Sequence, residues 1–339
     1  MTVQAPRQPA SRFGRSGGVM ALAIGLLAAL LTARILTADN STDRVPPRAL
    51  DGLTLALSVL IESLPFIILG ITLSVLVQVW VPREWLFRIL PKRPVPRRLV
   101  ISLLGMFLPV CECGNVPLAR GLVARGYTVS ESMTFLLAAP IINPVTIITT
   151  HQAFGWSDGI LVARILGAIA IANLLGWVFS LHPRQHELLT TRFAAQCAMP
   201  EIPGQQSKIE RSARMFLHES SVLMPALIVG SLVAGAIQIL VSRDTLVALG
   251  SDPLISVLAM MLLAFVISIC ANVDSFFILP FADTFLPGSL VAFLLLGPII
   301  DIKMLALLRT TYRPSTLVRL SLLVVVLTAA VGTGVNLVA

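Results

Sequence analysis

Charge is scarce in this chain. Of 339 residues only 12% are Asp, Glu, Lys or Arg, about half the proportion of an ordinary soluble domain. Cysteine is scarce too: four residues, Cys111, Cys113, Cys197 and Cys270, too few and too scattered for a disulfide framework. No glycine-rich phosphate loop and no His-Glu-x-x-His pair occurs, which removes the common nucleotide-hydrolysing and zinc-hydrolase signatures. The chain therefore reads as a non-enzyme, and neither a resident metal nor a cofactor is expected.

What fills the sequence is hydrophobic: 56% of residues, gathered into apolar runs close to the roughly 20 residues that span a bilayer. The chain reads as an all-α polytopic membrane protein. Its net charge of +8 is then not a nucleic-acid signal but a topological one. Residues 1–18 are polar and basic and read as a disordered cytoplasmic N-terminus; 19–38 reads as an extra N-terminal transmembrane helix. Arg83, Arg88, Lys92, Arg93, Arg97 and Arg98 crowd one loop, and residues 182–215 form a second basic loop. The positive-inside rule puts both in the cytoplasm of a multi-pass membrane protein.

That assignment works only if residues 99–125 do not cross. They contain Leu108-Pro-Val-Cys-Glu-Cys-Gly-Asn-Val-Pro117, where Gly114 and Pro117 favour a helix break. A segment that enters, turns there and returns keeps the loop 182–215 inside. Each arm, about 11 residues, rises roughly 16 Å, or half a bilayer. Irregular backbone at that depth survives only when buried in protein or lining a wet cavity.

The chain also repeats itself. Pro65-Phe-Ile-Ile-Leu-Gly70 matches Pro225-Ala-Leu-Ile-Val-Gly230. Cys113-Gly-Asn-Val-Pro117 matches Cys270-Ala-Asn-Val-Asp274, and Phe135-Leu-Leu-Ala-Ala-Pro-Ile-Ile-Asn143 matches Phe293-Leu-Leu-Leu-Gly-Pro-Ile-Ile-Asp301. Residues 52–181 and 216–338 thus form two permease repeats, each with three spanning helices and a broken or re-entrant hairpin (99–125 and 253–285). An odd number of crossings makes the copies inverted, the pattern of secondary transporters with a site at the repeat interface.

Candidate site residues follow from this arrangement. Cys111, Cys113 and Cys270 offer thiols to a soft, thiophilic species, and Asn115, Asn272 and Asn143 offer amides. Glu112, Asp274 and Asp301 are carboxylates at apolar depth, suited to proton or ion coupling, with Lys303 a salt partner for Asp301. Pro140 and Pro144 should break the helix beside Asn143, and Pro298 the helix beside Asp301. Arg164 reads as a residue that snorkels at the outer face, Glu219 as solvated, and Cys197 as a filler.

The motif Cys-x-Cys-Gly-Asn-x-Pro, followed by Phe-Leu-x-x-x-Pro-x-x-Asn-Pro, resembles a family of bacterial predicted permeases that includes the ArsP-type efflux permeases for trivalent organoarsenicals. The resemblance covers roughly residues 50–338. It implies a permease, and by analogy efflux of a trivalent organoarsenical held by thiols. A permease for a metal ion or sulfur compound, and a membrane thiol-disulfide oxidoreductase using Cys111 and Cys113, are the alternatives. The partners implied are a small-molecule substrate and membrane lipid, with no nucleic acid; a homo-oligomer is compatible with the sequence.

Overall fold

The computed structural model describes residues 47–82, 88, 90–108, 110–156, 158–198, 207–238, 253–282 and 284–338, together with Gly25 and Thr32 as isolated positions. The expected N-terminal tail 1–18 and the rest of the extra helix 19–38 lie outside the described residues. Everything described is helical or connecting loop, apart from one isolated bridge between Leu189 and Tyr312.

Thirteen α-helices are named among the described residues. The first half of the chain holds α1 (Pro47–Trp80), α2 (Pro94–Leu103), α3 (Glu112–Ala124), α4 (Val129–Ala138), α5 (Pro144–Phe154) and α6 (Ile160–Ser180). The connecting helix α7 (Thr191–Ala198) follows, then α8 (Lys208–Gln238), α9 (Pro253–Ile267), α10 (Asp274–Ile278), α11 (Pro287–Ile299), α12 (Ile302–Leu308) and α13 (Pro314–Val338). Among the described residues, five stretches are long and apolar enough to cross a membrane: Leu50–Trp80, Ile160–Ser180, Lys208–Gln238, Pro287–Leu308 and Pro314–Val338. The protein is a multi-pass α-helical membrane protein.

The order of elements is the same on both sides of α7: a long helix carrying an interior proline (Pro65, Pro225), a short helix, an irregular break, further short helices and a long closing helix. The long helices α1 and α8 pack antiparallel. Trp80, at the end of α1, donates to Ser212 Oγ near the start of α8 (3.3 Å), while Gly52 and Ala56 abut Gly235 near its end. Glycine is needed there because the Gly52 carbonyl oxygen would lie 2.6 Å from any added methyl on Gly235.

Contacts at the two ends of the bundle show which way the broken segments run. Arg97 at the start of α2 pairs with Glu131 at the start of α4 (2.8 Å) and stands over the Tyr127 ring, just past the end of α3. The start of α2 and the end of α3 therefore lie at one end of the bundle. That end also holds Trp80, the start of α8, and the start of α13 through Arg313 and Leu188. In the second half Ser256, near the start of α9, bonds Ser289, near the start of α11 (2.7 Å), and Gly288 donates to Asn336 at the far end of α13 (2.7 Å). The starts of α9 and α11 and the end of α13 therefore lie together at the opposite end.

Several boundaries differ from the sequence expectation. The second long helix begins at Lys208, eight residues inside the loop expected at 182–215, and α7 folds within that loop. Of the three spanning helices expected in each repeat, one is divided into two shorter helices: α4 and α5, separated at 139–143, in the first half, and α11 and α12, separated at 300–301, in the second.

Candidate substrate site

The first break lies upstream of the position expected for it. After a short 3-10 turn (Leu104–Phe107) the chain extends, with Leu108 at φ −123°, ψ 102° and Cys111 at φ −72°, ψ 176°. Helix α3 then starts at Glu112 and runs straight through Gly114 and Pro117. Neither residue breaks it. Pro117 stands six residues into α3, and its carbonyl accepts a bond from Ser74 Oγ of α1 (2.6 Å). Gly114 serves close approach: a methyl there would overlap the Phe66 carbonyl oxygen, and one at Gly70 would overlap the Gly114 carbonyl. Backbone meets backbone where α1 crosses α3, and only glycine permits it.

The break itself is held open by a neighbour. Asn143 is the N-cap of α5; its side-chain oxygen accepts from Val145 N (2.9 Å), and its Nδ2 donates to the Val110 carbonyl (2.8 Å). Pro140 sits in the turn before this cap, and Pro144 is the first residue of α5, as a helix start requires. In the second half Asp301 does the same capping for α12, accepting from Met304 N (2.5 Å). Pro298 lies inside the last turn of α11, which ends one residue later.

Cys111 and Cys270 play the same backbone part. The Cys111 carbonyl accepts from Gly114 N and Asn115 N, and the Cys270 carbonyl from Val273 N and Asp274 N. The sequence match aligned Cys270 with Cys113; the fold pairs it with Cys111. The side chains agree. Cys111 Sγ, a Glu112 oxygen and Cys270 Sγ all lie within 4.8 Å of one another, and the Cys270 thiol reaches Glu112 Oε2 at 3.6 Å. The three residues are 1%, 0% and 3% exposed. Cys113 is fully buried beside them, next to Cys111.

Around this cluster the charges are ordered. Lys303 Nζ lies 2.8 Å from Glu112 Oε1 and 3.9 Å from Asp301 Oδ2. Its closer partner is Glu112 rather than the Asp301 expected. Glu62 of α1, not among the residues expected at the site, lies close to Lys303, Glu112 and Cys270. Its only sequence signal was its position at apolar depth. Of the three amides, Asn143 is fully used, and Asn272 accepts from Thr146 Oγ1 (3.1 Å). Asn115 is fully buried with neither amide atom bonded.

Asp274 does not join the cluster. It forms a two-pronged pair with Arg164 of α6 (3.0 and 2.6 Å), with Thr150 and Ser275 also bonded to the guanidinium. Arg164 is 1% exposed, so it does not snorkel: a carboxylate at that depth needs a partner, and Arg164 supplies it. Glu219 is likewise buried rather than solvated. It holds Arg120 of α3 at 2.8 and 3.3 Å, and Arg120 also reaches Thr310 and Thr311 beyond α12 and stacks on Phe193 of α7. The two pairs flank the thiol cluster. One lies toward the end where α3 and α12 finish, the other toward the end where α5 finishes and α6 starts. Each joins the first half of the chain to the second.

Outside the membrane-spanning segments, Cys197 on α7 is half-buried, and burial pushes its thiol up to about 11. That keeps it protonated and inert near neutral pH, in line with a filler. A cavity of about 450 Å³ lies beside it, walled by Tyr127, Arg184, His186 and Leu189 among others.

A protein with broken helices meeting at buried thiols and carboxylates between two halves has the make-up of a membrane permease. The chain belongs to the ArsP_1 predicted permease family, which it matches over residues 50–337. It is similar to the UPF0718 protein YcgR of Bacillus subtilis, 35% identical over 265 residues, covering 76% of this chain and 87% of that protein. It is also similar to a putative two-component membrane permease complex subunit of Streptococcus mutans, 34% identical over 273 residues (80% and 90%). A shorter match, 28% identical over 140 residues (40% and 38%), is to the UPF0718 protein YraQ of Escherichia coli. No solved structure matches the chain.

Proposed function

We propose that this chain is an inner-membrane permease that exports a small thiophilic solute by ion-coupled alternating access between two inverted repeats. The observation that carries this reading is the meeting of Cys111, Glu112 and Cys270, from both halves of the chain, in one fully buried group. Two thiols and a carboxylate within 4.8 Å are a ligand set for a soft centre. A trivalent organoarsenical and a soft metal ion share that chemistry. The carboxylate in the set favours the metal ion as the second reading.

Three features support the inversion: antiparallel packing of α1 on α8, hairpins opening at opposite ends, and the same element order in both halves. The end carrying Lys92, Arg93, Arg97 and Arg309 is the cytoplasmic one in this reading, with the N-terminus on the same side. Alternating access asks for contacts between the repeats that open on one side at a time. Arg120–Glu219 serves as the cytoplasmic closure and Arg164–Asp274 as the outer one. The name of the Streptococcus mutans relative makes a second subunit, or a second copy of this chain, a partner to test by co-purification. A thiol-disulfide exchange centre has less support, because such chemistry needs an accessible thiolate and these thiols are 3% exposed or less.

The test is uptake into everted vesicles, using phenylarsine oxide and cadmium(II) as probes. The wild type should accumulate at least one of them, and Cys111→Ser with Cys270→Ser should abolish it. Equal accumulation in wild type and double variant would sink the thiol site.

A further inference from the structure

Lys303 is the one basic side chain within the thiol cluster among the described residues, and its surroundings are uneven. Its ammonium is 2.8 Å from Glu112 Oε1, a group that also belongs to the ligand set. On its other side, 3.9 Å away, Asp301 Oδ2 is buried and has no hydrogen-bond partner. Asp301 is held in place through its other oxygen, which caps α12. An unpartnered carboxylate oxygen in a site with no exposure is costly to leave unpaired. Lys303 has a long, flexible stem carrying a compact charge, so a small rotation brings it from one acceptor to the other.

We propose that Lys303 is a tethered counter-ion that substrate displaces from Glu112 onto Asp301. In the empty carrier the ammonium occupies the carboxylate that a soft cation needs. When the cation binds Cys111, Cys270 and Glu112, Lys303 passes to the waiting oxygen of Asp301, and no charge in the buried group is left alone. The site therefore selects a soft species bearing positive charge over a neutral one, because only a cation compensates Glu112 for losing Lys303. Asp301 is a positioning residue that acts through Lys303 rather than a ligand. The inference rests on the reading of the thiol cluster as the substrate site.

Cadmium(II) affinity of the purified full-length protein, measured by titration calorimetry, tests it. Lys303→Gln should bind cadmium at least tenfold more tightly than wild type, since nothing competes for Glu112. Asp301→Asn, which keeps the helix cap because Asn caps as well as Asp, should bind at least tenfold more weakly. In the Lys303→Gln background the same Asp301→Asn change should have no effect. A loss of equal size in both backgrounds would make Asp301 a ligand or a structural prop and overturn the proposal, as would weaker binding by Lys303→Gln in protein that elutes as the wild type does. Retained cadmium affinity in Cys111→Ser/Cys270→Ser would instead sink the thiol site while the wild type still binds, and a wild type that binds no cadmium would overturn both.

Discussion

The two breaks in this chain began as matching sequence and ended with different jobs. At the first, Cys111 closes an extended stretch held by the Asn143 amide, and a helix of 13 residues follows. At the second, Ser268 adopts a left-handed conformation at φ 52°, the one non-glycine residue to do so among those described, and the helix that starts at Asp274 has only five residues. Such a backbone costs on the order of 1–3 kcal/mol, so the surrounding packing must impose it. The first break puts a thiol and a carboxylate into the cluster. The second contributes a single thiol, and its carboxylate is taken by Arg164. A repeat can thus keep its backbone plan while one copy's carboxylate joins the thiols and the other's is locked to Arg164 of the opposite half.

The comparison can be broken most forcefully at the lock. Arg164→Gln leaves Asp274 as an unpaired buried charge, and the expected loss is about 3–5 kcal/mol, read as a fall in thermal midpoint of the purified protein. Asp274→Asn together with Arg164→Gln should recover part of it. If Arg164→Gln is as stable as wild type, the pair is no lock. On the proposed topology, Arg120→Gln should expose Cys111 to impermeant thiol reagent from the cytoplasmic side only and Arg164→Gln from the other side only; exposure from the same side in both would overturn the assignment of two closures.

Next in size is the crossing of α1 and α3. Gly114→Ala forces the Phe66 backbone away, and overpacking of this kind costs about 1–3 kcal/mol. Gly297→Ala meets only Ala264 at 3.7 Å and should be near neutral, so an equal effect at both positions would refute the close-approach argument.

Thiol substitution sharpens the ligand side. Cys111→Ser should lower affinity for cadmium(II) at least tenfold, or about 1.4 kcal/mol. Cys113→Ser should lower it less, because Cys270 pairs with Cys111 by backbone role and by distance. The reverse order would restore the match drawn from sequence. Asn143→Ala removes a cap and the brace on Val110, with a cost of about 0.5–2 kcal/mol. The smallest effect belongs to Cys197. With its thiol pushed up to about 11, alkylation by maleimide should be slow at pH 7 and quicken as the pH rises toward that value. Rapid labelling at pH 7 would show the thiol to be activated.

Sequence pattern carried much of this. Paucity of charge and long apolar runs require a membrane protein whatever the details, because the bilayer allows little else. The matches at Pro65/Pro225 and Asn143/Asp301 give elements that do recur, since interior prolines and helix caps act locally and leave local marks. Glu112, Cys111 and Cys270 were legible as site candidates because polar groups at apolar depth are expensive. Partnership was not legible. Arg164 with Asp274 stands 110 residues apart in sequence, and Arg120 with Glu219 stands 99 apart. Nothing in the local pattern says which buried cation meets which carboxylate. Gly114 and Pro117 looked like breakers because their intrinsic propensity is poor, but close packing of α1 on α3 makes glycine a requirement there. The sequence determined that this protein lives in a membrane, repeats its plan and buries reactive groups at two breaks. Only the tertiary structure decided that Cys270 faces Cys111, that Lys303 sits on Glu112, and that Asp274 is held by Arg164, because each depends on distances set by how whole helices cross.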